Sequence, residues 1–77
     1  MHRFYAVGDR VYYFSRSKFE RALQNNRRLP QQIGISRQAA HQYCRGELSP
    51  RADRAVLIYD LAPSCMIYVG KLPSEEV

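Results

Sequence analysis

A chain of 77 residues has room for one domain and one core. At this size only about 60% of the unfolded surface is buried, so a dimer partner is an expected source of stability. Twelve Lys and Arg against seven Asp and Glu leave a net charge of +5, which suits a polyanionic partner. The two cysteines, Cys44 and Cys65, form no CxxC pair and argue against a disulfide-stapled scaffold; free buried thiols in a reducing cytosol are expected.

No apolar run approaches the roughly 20 residues of a membrane span, so no membrane association is expected. Residues 1 to 15 lack the basic, apolar, small-residue order of a secretion signal, which predicts a soluble, cytoplasmic protein. The charge is unevenly placed. Between Arg16 and Arg54 there are nine basic residues and three acidic ones, Glu20, Glu47 and Asp53. The rest of the chain is close to neutral.

Residues 1 to 15 predict a β-hairpin. Phe4-Tyr5-Ala6-Val7 and Val11-Tyr12-Tyr13-Phe14 flank Gly8-Asp9, and Gly at the first turn position suits a II′ turn. That register puts Phe4, Ala6, Val11 and Tyr13 on one face and Tyr5, Val7, Tyr12 and Phe14 on the other. Both faces are too apolar for an isolated hairpin to expose. One is expected to cover helices, the other to meet a further strand or a second subunit.

Ser17-Lys18-Phe19-Glu20 has the S-x-x-E pattern of a capping box. The first helix is predicted from Lys18 to Gln24, with Phe19, Ala22 and Leu23 inward. Asn25 or Asn26 ends it and caps a second helix over Arg27 to Ile33, which buries Leu29 and Ile33. Pro30 is tolerated there only within the first turn, where no intrahelical amide bond is lost.

The segment from Gly34 to Gly46 carries the strongest signal. At about 100° per residue, Ala39, Ala40, Tyr43 and Cys44 fall on one arc. Arg37, Gln38, His41, Gln42 and Arg45 fall on the other, and the two sets do not interleave. Ser36 suits the N-cap, Gly34 a tight turn with positive φ, and Gly46 a left-handed C-cap. The outward arc holds no acidic residue. Arg and Gln are the side chains whose geometry suits bidentate contacts to guanine and adenine in a DNA major groove.

Ser49-Pro50 reads as an N-cap with Pro at the first helical position. Ala52, Ala55, Val56, Tyr59 and Ala62 then recur at helical spacing, widened by Leu57, Ile58 and Leu61, and predict the most apolar helix and the core spine. Pro63 stops it. Cys65 to Lys71 predicts a C-terminal strand, and Pro73 to Val77 a loose tail.

Residues 18 to 62 resemble the helix-turn-helix domain of the repressor/Cro class, found in phage, plasmid and bacterial regulators. The likeness is carried by Leu29-Pro-Gln-Gln-Ile-Gly-Ile-Ser-Arg-Gln-Ala-Ala-His-Gln-Tyr-Cys-Arg-Gly46 followed by Ser49-Pro50. The family's turn glycine falls on Gly34, its buried positions on Ile33, Ile35, Ala40 and Tyr43, and its closing glycine on Gly46. One departure is Pro30, where the family usually has alanine. The resemblance implies a mainly α fold with a small β-sheet, with four to five helices around the helix-turn-helix core. The hairpin (1–15) and the C-terminal strand (65–71) would be additions within one domain.

It also implies a sequence-specific regulator of transcription, a Cro-like repressor acting as a homodimer on a palindromic operator in double-stranded DNA. Base reading would fall to Arg37, Gln38, His41 and Gln42. Phosphate contacts would fall to Arg27, Arg28, Gln31, Ser36, Arg45 and Arg51. Cro-like proteins can pair through strands, which implies a dimer interface at Tyr5, Tyr12, Ile67, Tyr68 and Val69. The setting would be the cytoplasm of a bacterial cell or a phage-infected host.

Other chemistry finds little footing. His41 and Cys44 stand three apart, but Cys44 is expected inward and His41 outward, and no second pair completes a zinc set. No metal, cofactor or enzymatic activity is expected. Most of the six tyrosines fall in apolar alternation or helix stripes, so core packing accounts for them better than stacking on single-stranded bases. The rival to a DNA reader is an interaction protein on the same scaffold, an antitoxin or a host-factor binder, which would add a protein partner.

Overall fold

In the computed structural model, which describes residues 3–73, strands β1 (Phe4–Val7) and β2 (Arg10–Phe14) form the hairpin. Phe4 pairs with Tyr13, Tyr5 with Tyr12, Ala6 with Val11 and Val7 with Arg10. Of the two turn residues only Gly8 has positive φ, as a II′ turn requires. A third strand, β3 (Met66–Lys71), runs antiparallel to β2, so the sheet order is β1-β2-β3. Its register breaks once. Tyr12 pairs with Tyr68 but Val11 with Gly70, leaving Val69 between the pairs as a bulge.

Four helices complete the described residues. Helix α1 spans Arg16–Asn25, longer at both ends than expected. Its cap is Ser15, whose hydroxyl accepts from the Lys18 amide at 3.3 Å, and not Ser17. The chain leaves β2 still extended, and the Ser15 amide donates to the Cys65 carbonyl at 2.9 Å. The helix therefore starts at Arg16, which puts Glu20 beyond the position from which a capping box closes.

Helix α2 spans only Leu29–Gln32 instead of residues 27 to 33, with Pro30 at its second position. Asn26 explains the shortening. Its amide closes α1 on the Ala22 carbonyl, and its side chain accepts from the Arg28 amide at 3.1 Å. Arg27 and Arg28 are thereby held in the turn. Leu29 and Ile33 are buried as expected, and Pro30 with them.

Helix α3 spans Arg37–Arg45. The Ser36 hydroxyl accepts from the Ala39 amide at 3.0 Å. Gly34, at φ +74°, makes the turn before it, and Gly46, at φ +77°, closes it in the left-handed region. Helix α4 spans Ala52–Leu61 with Arg51, not Ser49, at its N-cap. The Pro50 carbonyl instead receives the Tyr5 hydroxyl, so Ser49 and Pro50 belong to the connection. Only Ala55 and Ile58 of α4 are fully buried; Val56 and Leu61 are 42% and 50% exposed. It packs one face and is not the core spine. A 3₁₀ turn over Pro63–Cys65 leads into β3, so Cys65 precedes the strand. Pro73 has no regular structure, and residues 74–77 of the expected tail lie outside the described residues.

The core joins sheet and helices. Tyr12, Phe14 and Met66 from the sheet meet Phe19, Leu29, Ile33, Ala40, Tyr43, Ala55, Ile58 and Cys65. A mainly α architecture with four to five helices is thus corrected to a mixed α and β fold. The strands do not decorate a helical core. Once β3 joins the hairpin, their common face forms one side of it.

Candidate nucleic-acid interface

Helix α3 is held by one face. Ala40 and Tyr43 are buried, with Ala39 and Cys44 half-buried beside them. The Tyr43 ring lies 6.1 Å from Phe14 of β2 and 5.7 Å from Phe19 of α1, and those two rings are 5.3 Å apart. This trio ties strand, first helix and α3 together with tilted and edge-on ring geometry, which adds to plain area burial. Burial raises the Tyr43 hydroxyl pKa.

The opposite face is free of packing. Arg37, Gln38, His41 and Arg45 are exposed, and Gln42 is half-buried at its margin. All four base-reading candidates, Arg37, Gln38, His41 and Gln42, therefore share one helix surface. Basic residues flank it on both sides. Arg27 lines a hollow with Arg37 and His41, while Arg51 and Arg54 border the Gly34 and Ala39 side. Arg28 and Gln31 are exposed near Arg27.

Arg45 differs from the other phosphate candidates. Its Nε and Nη2 donate to both Glu47 oxygens at 3.0 Å. That bidentate pairing holds the Glu47 carboxyl below its usual range and offsets the charge Arg45 would offer to a phosphate. The Ser36 hydroxyl already accepts from the helix it caps.

Three residues had no part in the sequence reading of the site. Glu47 pairs with Arg45 only because Gly46 turns the chain back. Arg16 donates to the Arg45 carbonyl at 3.1 Å, a cation at the carboxyl end of α3, where the helix dipole favours it. Arg54 lies against the Gly34 turn, its guanidinium carbon 3.4 Å from where a Cβ would stand. Only the excess of basic residues in this stretch hinted at the last two.

The sheet candidates divide. Tyr12 is only 6% exposed; its ring lies 5.0 Å from Tyr59 and its hydroxyl 3.3 Å from that of Tyr59. Tyr5 is half-buried, donates to the Pro50 carbonyl, and burial pushes its pKa up to about 12. Both tyrosines serve the inside of the monomer, because the face they share is the one that covers the helices. Ile67, Tyr68 and Val69 are 40%, 52% and 55% exposed on a strand whose outer edge has no neighbour in the sheet. Arg10 stands over the Tyr68 ring at 5.8 Å.

Cys44 and Cys65 are free thiols. Burial pushes Cys65 up to about 11 and raises Cys44. Cys44 is less inward than its place on the helix arc predicts, since it and His41 border one hollow with Glu20, Leu23 and Gln24. Among the described residues no three His, Cys, Asp or Glu side chains are grouped to hold a metal ion. No helix among them is long and apolar enough to cross a membrane. Comparison of the chain with models of known families, with curated proteins and with solved structures finds no match.

Proposed function

We propose that this chain is a sequence-specific double-stranded DNA-binding regulator of transcription, a Cro-like repressor that acts in the cytoplasm as a dimer on a palindromic operator. One observation carries the reading. Arg37, Gln38 and His41 project together from a helix whose other face is locked to the body by Ala40 and Tyr43. A helix held this way can enter the major groove without disturbing the core, and its Arg and Gln side chains can make bidentate contacts to base edges.

In this reading α2, the Gly34 turn and α3 act as the helix-turn-helix. Arg37, Gln38, His41 and Gln42 read bases, and Arg27, Arg28, Gln31 and Arg51 hold phosphates. Arg45 joins them only by exchanging Glu47 for a phosphate. The β3 edge, with Ile67, Tyr68 and Val69, is the dimer surface, and Tyr5 and Tyr12 support it from within the monomer. Two recognition helices would then address half-sites about 34 Å apart.

Selection of bound sequences from a random DNA pool tests the reading. Enrichment of a palindrome is expected, with affinity for it falling steeply as salt rises. A pool that never narrows, or no binding at low salt, defeats it. The exposed apolar edge of β3 favours a second reading, an antitoxin or host-factor binder that uses the sheet to hold a protein. Persistent partner binding by a protein indifferent to DNA sequence would select that alternative.

A further inference from the structure

We infer that the hollow between α1, α2 and α3 is a binding site for a small organic anion, a carboxylate or phosphate ester with a compact apolar body. Leu23, Pro30 and Ala40 form its apolar part, and Arg27, Arg37 and His41 its polar part. It is open to solvent on one side and has a volume of about 240 Å³, room for a compact ligand.

The polar residues are all of one kind. No acidic side chain among the described residues lines the hollow. Among the described residues, the side chains of Arg27, Arg37 and His41 make no hydrogen bond or ion pair with the protein. This contrasts with Arg45 and Arg54, each of which has a carboxylate nearby. Two unengaged guanidinium groups bordering one hollow can each offer a planar pair of N–H donors to a carboxylate or phosphate. The apolar residues give such a ligand an advantage over a bare ion, since contact with them removes its hydrocarbon part from water.

A consequence rests on the DNA-binding reading. Arg37 and His41 cannot grip the anion and base edges at once, so ligand and operator would compete. The site itself does not depend on that reading.

The test is an amide NMR titration of the full chain with phenyl phosphate, alongside inorganic phosphate and phenol at matched ionic strength. Saturable shifts are expected at residues 23, 27, 37, 40 and 41, with phenyl phosphate at least about tenfold tighter than either control. Arg27→Gln and Arg37→Gln should each weaken it about fivefold or more, and Lys71→Gln, on β3 and outside the hollow, should leave it unchanged. Equal binding of inorganic phosphate would reduce the hollow to a patch of surface charge. Equal binding of phenol would remove the anion from the proposal, and shifts spread over all basic residues would remove the site.

A second arm adds the selected DNA duplex. Competition by phenyl phosphate is expected, and in Arg27→Gln it should require more ligand by the same factor as direct binding. Saturating ligand with undiminished DNA affinity would overturn the coupling alone. Absence of DNA binding, with the hollow still filling, would sink the regulator reading and leave the anion site standing.

Discussion

Helices α3 and α4 are nearly equal in length, nine and ten residues, yet they are attached to the molecule in different ways. In α3 Ala40 and Tyr43 face inward with Ala39 and Cys44 half-buried beside them, and Arg37, Gln38, His41 and Arg45 are left exposed. In α4 apolar residues surround most of the helix, and the fold uses only part of them. Ala55 and Ile58 are buried while Val56 and Leu61 stay in solvent. One-sided patterning fixes how a helix must lie against its neighbours. All-round apolarity does not, and the choice then falls to partners elsewhere in the chain. Here Tyr12 and Tyr59 make that choice, ring against ring between β2 and α4.

The contrast is broken most readily at Ile58. Ile58→Ala removes a fully buried side chain and should destabilise the fold by about 2–5 kcal/mol. Val56→Ala, two positions earlier on the open side, should stay within about 0.5 kcal/mol. Urea unfolding of both variants measures the difference; comparable losses would mean that α4 is gripped on all sides. Arg37→Ala sharpens the comparison from the other helix. Its stability should match the parent's, while affinity for the selected operator falls by about 1–3 kcal/mol and preference at one base position relaxes. A loss of folding stability with DNA binding intact would reverse the roles assigned to the two faces of α3.

What the sequence disclosed follows the same division. The hairpin turn, its register and the outward arc of α3 rest on spacing within a few residues, and each could be read locally. The capping serine could not. Ser15 and Ser17 are both plausible, and the choice depends on a hydrogen bond from Ser15 to the Cys65 carbonyl, far along the chain. The weight of the sheet in the fold was hidden for the same reason, because pairing of β3 with β2 joins opposite ends of the sequence. At the candidate site, the exposure of Arg37, Gln38 and His41 was legible from periodicity. The burial of Tyr12 was not, since both faces of the hairpin carry aromatics. Nor was the engagement of Arg45, which needs the reversal at Gly46 to bring Glu47 back.

Tyr5 tests the connection between the two helices. Its hydroxyl holds the Pro50 carbonyl, pinning the α3–α4 connection to β1. Tyr5→Phe should cost about 0.5–1.5 kcal/mol, the usual net value of such a bond. The hydroxyl's pKa is raised from 10.0 to about 12. A group with a raised pKa contributes stability in full below its unfolded value and loses it as pH climbs through the folded one. The parent should therefore weaken between pH 10 and 12 more steeply than Tyr5→Phe. Parallel thermal melting profiles across that range would show that the Tyr5 hydroxyl is not held buried in the fold.

The smallest effect is expected at the end of α3, and it bears on whether the outward face is wholly free. Glu47 occupies the Arg45 guanidinium, so α3 presents one cation fewer to DNA than its sequence suggests. Glu47→Gln should release Arg45 to a phosphate, strengthen binding to all duplexes alike and steepen the salt dependence by about 0.9 in log–log slope. Acid should do the same to the parent. The Glu47 pKa is depressed from 4.5, so the pairing is fully present above that value and is lost as pH falls through the folded one. DNA affinity of the parent should approach that of Glu47→Gln on acidification, while the variant shows no step of this origin. If both proteins have the same salt slope at neutral pH, Arg45 already reaches phosphate past Glu47, and the face of α3 is as open at its end as at its start.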